Sequence, residues 1–190
     1  MAQNLQQKKL LAVANALGIS DLSNMQGSTG VIYDEIASSP ATEYTFFKNV
    51  SSRTFPNTNL TSNRFEVNEA LLIEAIAVYS RANNGAPTLI QDEGTDDAPI
   101  NGLLDIVIGN KRTMKDTLVT GPAIAQSNTS KGAVDNGIYY LAPTIGIVIP
   151  PQVEFECQLK FNATPNTGAI DQIGIALYGT RVLLNLQTSL

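Results

Sequence analysis

The chain has 190 residues, enough to bury one substantial core with or without an appended arm. Only 15% of its residues are charged, against about 25% in ordinary soluble domains, so an uncharged polar surface or extensive subunit contact is expected. Twelve basic against 17 acidic residues, with no histidine, argue against phosphate recognition by clustered cations and exclude any histidine-dependent nucleophile.

Residues Ala2 to Leu17 read as a helix, with Leu10, Val13, Ala14 and Leu17 at helical spacing and Gly18 as a C-terminal stop. The N-terminus has no apolar signal-peptide core, and no run approaches the ~20 apolar residues of a membrane span, so retention in a cytoplasm is expected. Asp21 can cap a short turn before Gly27 and Gly30. Residues Val31 to Ala37 show no decisive period, and Pro40 ends them. Residues 1–40 therefore read as a helical arm, too short for a core of its own, and residues 41–190 as a β domain.

From Ala41 the pattern changes. Tyr44 and Phe46 alternate with Glu43 and Thr45, and Ser51 to Asn63 is a turn-rich connection containing Pro56. Leu71 to Tyr79 carries both signals. Asn68 and Gly85 would cap and stop a helix, while Ile73, Ile76, Val78 and Tyr79 favour a strand, which the β flanks select. Asn83 to Pro99 is a polar loop. Strands follow at Gly102–Asn110 and Thr113–Val119, joined through Gly109-Asn110-Lys111, then at Gly137–Leu141, Ile145–Ile149, Val153–Phe161 and Ile173–Leu186. The Pro150-Pro151 pair marks a strand boundary. Strands without interleaved helices predict an all-β, jelly-roll-like antiparallel β-sandwich with an N-terminal helical arm. The length excludes a double jelly roll. Phe46, Phe65, Ile76, Phe155 and Phe161 are the expected core.

Candidate chemistry is sparse. Asp92, Glu93, Asp96 and Asp97 could offer oxygen ligands to calcium, but the ligand ladder of a calcium loop is absent, so a solvated loop is expected and no metal or cofactor. One cysteine without histidine leaves too few zinc ligands. Cys157 alternates with Val153, Phe155, Leu159 and Phe161 and reads as a small buried hydrophobe. Of the carboxylate pairs, Glu154/Glu156 marks the solvent face of a strand, and Glu69/Glu74 comes without the aromatic platform of a sugar-cleaving site. Gly27 and Gly30 form no phosphate loop. No catalytic residue emerges, and the expectation is a protein that is not an enzyme. The sequons at Asn49, Asn59, Asn128 and Asn162 read as by-products of Asn/Thr/Ser-rich loops. Arg53, Arg64, Arg81 and Arg181 are expected to make intersubunit pairs with the acidic loop.

Two stretches carry a family resemblance. In Thr58 to Ile76, a TNLTSNRF loop leads into the strand pattern EALLIEAI. In Ile149 to Phe161, an Ile-Pro-Pro break precedes an alternating strand. These resemble structural proteins of bacteriophage virions, over the chain from Ala41 to its end. The resemblance implies a single jelly-roll-like capsid component, major or minor, that assembles in the host cytoplasm with copies of itself and other capsid proteins. It implies no direct nucleic-acid or membrane contact. Leu10, Val13 and Leu17 would be the contacts of an assembly arm. A receptor- or glycan-binding β-sandwich module of a tail or fibre is the alternative, and a concave aromatic patch would mark it.

Overall fold

The computed structural model describes residues 5–81, 87–89, 101–120, 134–135, 138–141, 146–165 and 171–184. A helix α1 (Leu5–Leu17) precedes strands β1 (Met25–Ala37), β2 (Glu43–Phe46), β3 (Glu69–Arg81), β4 (Pro87–Leu89), β5 (Gly102–Ile108) and β6 (Lys111–Thr120). The remaining strands are β7 (Val134–Asp135), β8 (Ile138–Tyr140), β9 (Ile147–Ile149), β10 (Phe155–Phe161) and β11 (Gln172–Leu184). They form an all-β antiparallel sandwich with one N-terminal helix, as the patterning predicts. Leu71 to Tyr79 is strand, and Gly109 takes a left-handed conformation (φ 58°) in the β5–β6 turn.

The larger sheet runs β1-β11-β3-β8-β7, with β4 and β9 also on β3; the smaller runs β2-β10-β5-β6. The first long strand thus lies beside the last, and the chain passes repeatedly between the two sheets. Inward residues of both sheets form the main core, including Phe46, Ile76, Ile106, Phe155, Cys157, Leu159 and Leu177. All five predicted core residues are buried there. Stacked and tilted rings of Phe65, Phe155 and Phe47 cross the layer at 5.2–5.8 Å, a range that favours aromatic pairs.

Residues 1–40 depart from the expected arm. Met25–Ala37 is a strand paired with β11 along its entire length, so β1 belongs to the sandwich. Gly27, Ser28 and Gly30 give this stretch poor strand propensity, but a full-length ladder with β11 overrides it.

A bulge sits at the centre of β3. Tyr178 pairs with Ala75 and Gly179 with Ile73, leaving Glu74 as the extra residue. Before it, Leu71 and Ile73 point into the main core; after it, Ile76 and Val78 do. The extra residue switches the alternation, which a period of two cannot otherwise do. Gly179 lies opposite, where a Cβ would stand 1.8 Å from the Leu72 carbonyl oxygen.

On the outer face of the larger sheet, α1 packs over a second core. Val13 and Ala14 are fully buried against Met25, Ala70, Leu72, Val182 and Leu184, with Leu10 and Leu17 at the margin. Lys9 and Glu74 close an ion pair at 2.6 Å, fastening the helix to the bulge.

Candidate functional site

β1 carries two consecutive acids, Asp34 and Glu35, which strand geometry sends to opposite faces. Each is clamped by an arginine. Asp34 is fully buried and accepts from Arg53 Nε (2.9 Å), Arg53 Nη2 (2.6 Å) and the Phe47 backbone N–H (2.6 Å). Glu35 accepts from Arg81 through Nε (3.0 Å) and Nη2, and from the Tyr79 hydroxyl at 3.1 Å. Bidentate pairing offsets the cost of burying carboxylates this deeply.

These anchors hold the loop between β2 and β3 along the outer edge of β1. Glu35 N–H donates to the Asn57 carbonyl (2.7 Å), and the Thr58 hydroxyl donates to the Tyr33 carbonyl (2.9 Å). The Asn59 amide imitates a strand: its Oδ1 accepts from Tyr33 N–H (3.0 Å) and its Nδ2 donates to the Val31 carbonyl (2.8 Å). A cis Phe55-Pro56 bond lies in this loop. The upper edge of β1 is therefore belted by the TFPNTN segment.

Beyond the reach of α1, the outer face of the larger sheet carries tyrosines on a floor of small residues. Val31, Tyr178, Ala75 and Tyr140 are successive cross-strand neighbours, as are Tyr33, Ala176, Ala77 and Ile138, and then Glu35, Gly174 and Tyr79. The Tyr79 ring lies so close over Gly174 that a Cβ there would come within 2.3 Å of it. Burial raises the Tyr79 phenol well above its ordinary range, reinforced by the neighbouring Glu35 charge; Tyr33 is raised for the same two reasons. Val31, Tyr140 and Tyr178 are 41%, 45% and 42% exposed. Such a face can stack against a sugar ring or a flat protein surface.

The residues singled out in the sequence are distributed differently from expectation. Leu10, Val13 and Leu17 pack on the chain's own sheet, because the apolar strip Ala70, Leu72, Val182 and Leu184 lies directly beneath them. Arg53, Arg64, Arg81 and Arg181 pair within the chain, with Asp34, Glu154, Glu35 and Glu69 respectively. Asp92, Glu93, Asp96 and Asp97 lie outside the described residues. Among the described residues, no three His, Cys, Asp or Glu side chains come together as a metal site. Glu154 is exposed and Glu156 half-buried on the smaller sheet, where Glu156 accepts from Gln158. Cys157 is fully buried, and desolvation pushes its thiol far above the usual range. No described helix is long and apolar enough to cross a membrane.

The tyrosine face and the Asp34/Glu35 anchors were not foreseen. Asp34 and Glu35 sit in the stretch with no decisive period, and the tyrosines are gathered by strand register from distant parts of the chain.

No family model matches the chain, and no curated protein does. Among solved structures, a chain in the structure of infectious bursal disease virus, Gt strain, is similar at 12% identity and a TM-score of 0.27. The match covers 86% of this chain and 33% of that one. The protein thus spans about a third of that chain's length.

Proposed function

We propose that this protein is a structural component of a bacteriophage virion, assembling through repeated subunit contacts into or onto a capsid. The strand order carries the reading. With β8 and β9 taken as one broken strand, β1-β11-β3-β8/β9 faces β2-β10-β5-β6, the wrapped double Greek key of a single jelly roll. Many folds of this kind serve other roles. What directs this one to a virion is the resemblance of Thr58 to Ile76 and Ile149 to Phe161 to phage structural proteins. In this reading α1 is a stabilising layer, and assembly uses sheet edges and the tyrosine face. Its chemistry is contact, with no catalysis and no cofactor.

Expression of the full chain, followed by light scattering and electron microscopy, tests the proposal. Oligomers that grow into particles, or join particles of a host phage in many copies, are expected. A chain that stays monomeric at every concentration and joins no particle overturns it.

The tyrosine face favours a second reading, a glycan- or receptor-binding module of a tail or fibre. That reading predicts glycan binding lost in Tyr178→Ala and Tyr140→Ala, with assembly unaffected.

A further inference from the structure

Among the described residues, the lower half of β1 is an open sheet edge. The bonds from Asn57, Thr58 and Asn59 reach Val31, Tyr33 and Glu35, so odd-numbered residues of β1 turn their backbone groups away from β11. The ladder with β11 is unbroken from Met25 to Ala37, so the same holds for Gly27 and Thr29. Among the described residues, nothing bonds the Met25 carbonyl, the Gly27 and Thr29 N–H and carbonyl groups, or the Val31 N–H. Both ends of the gap are closed. Met25 N–H donates to the Leu22 carbonyl at 3.1 Å, and the Val31 carbonyl is taken by Asn59.

We infer that this edge pairs with the same edge of a second copy, antiparallel about a two-fold axis at Ser28. The free groups are self-complementary about that residue. Gly27 and the second copy's Thr29 exchange two hydrogen bonds, the symmetric pair exchanges two more, and Val31 N–H donates to the Met25 carbonyl once at each end. All six free donors of the two copies are then used. Sliding the register by two residues in either direction runs into the occupied Met25 N–H or Val31 carbonyl and leaves four bonds.

The sequence permits the approach. Met25 to Val31 (MQGSTGV) contains no charge and no proline, the devices that keep exposed edges from pairing. Gln26, Ser28, Thr29 and Val31 are exposed. The pairing sets exposed Val31 of one copy beside Met25 of the other, on the face where Leu10, Leu11 and Leu22 line an apolar groove. Apolar contact therefore accompanies the backbone bonds. The result is one continuous sheet through both copies, with both α1 helices on the same face.

This deepens the assembly reading by naming one of its contacts, and it can be tested apart from it. Ser28 would face its own counterpart at a Cα separation of about 4.5 Å, within disulfide reach, whereas the two copies of Gln26 would lie about 14 Å apart. Under mild oxidation Ser28→Cys should cross-link nearly completely and Gln26→Cys should not. Buried Cys157 does not compete. Thr29→Pro removes a free-edge N–H and spares the β11 ladder, so it should keep the native circular dichroism spectrum and weaken dimerisation at least about tenfold by sedimentation. Absent or equal cross-linking of the two cysteine variants overturns the inference, as does a folded Thr29→Pro that dimerises normally. Particles that assemble without the Ser28 cross-link would defeat this contact alone. A cross-linked dimer that never joins a particle would uphold the contact and count against the virion reading.

Discussion

Asp34 is held in the core by Arg53, whose fork supplies two of its three hydrogen bonds. Replacing Arg53 by Met keeps most of the volume and removes the counter-charge, leaving an unpaired carboxylate beside Phe47. The expected loss is about 3–5 kcal/mol in denaturant unfolding, the usual cost of breaking a buried pair from one side. Phe47 itself takes a left-handed backbone (φ 64°) that a bulky residue rarely adopts, held by the Asp34 bond and a fully buried ring. Tyr79 gives a pH signature. Its phenol is raised above the ordinary value of 10.0 on folding, so the unfolded chain gives up this proton first as pH rises. The stability it contributes is complete below pH 10 and declines above it. Unfolding free energy should therefore fall with alkalinity, and Tyr79→Phe should flatten that fall while costing the bond to Glu35. An equal slope in the variant would show that other groups set the alkaline limit.

Elements were legible where side chains repeat with a clear period. β10 alternates from Phe155 to Phe161 and was found with its inward residues; β5 was bracketed by its turn residues. β1 is not legible in the sequence, because Gly27, Ser28 and Gly30 carry no strand signal and only the ladder with β11 makes this stretch a strand. The roles of Asp34 and Glu35 were hidden with it, and the tyrosine face required a register that no local window contains. The arginines' partners within the chain escape a local reading because they lie far away in sequence: 46 residues or more separate Arg81 from Glu35, Arg64 from Glu154 and Arg181 from Glu69. The bulge in β3 makes a sharp prediction of its own. Gly179→Ala would drive a methyl into the Leu72 carbonyl. Backbone on the opposing strand cannot rotate aside, so the loss should reach about 3 kcal/mol or more, or the chain should fail to fold, as read by circular dichroism and thermal unfolding.

At the scale of the molecule, two hydrophobic cores lie on opposite faces of one sheet. The main core needs both sheets; the other needs only α1 and the strip beneath it. The helix can therefore lift while the sandwich holds, as local cooperative units do. Amide hydrogens of α1 should exchange through an opening of lower free energy than those of β3 and β11, and Val13→Asp should abolish α1 protection while leaving theirs. Uniform protection across all three elements would show that the cores unfold together. The same division bears on dissecting the N-terminus. A truncation ending at Gly18 removes the helix alone, whereas one ending at Pro40 also removes β1 and with it the sheet edge inferred to pair.

Glu74 behaves like an inserted letter in a two-letter code. On one side of it the odd-numbered residues spell the interior of β3, on the other the even-numbered ones do. Losing Glu74 itself would leave Leu71, Ile73, Ile76 and Val78 in one regular alternation on the same side, whereas losing an ordinary residue such as Leu72 would shift the reading frame of faces and set Leu71 and Ile73 on opposite sides. Variation in β3 is thus free in spelling, and a single deletion keeps the phase of its faces only where it removes the inserted letter.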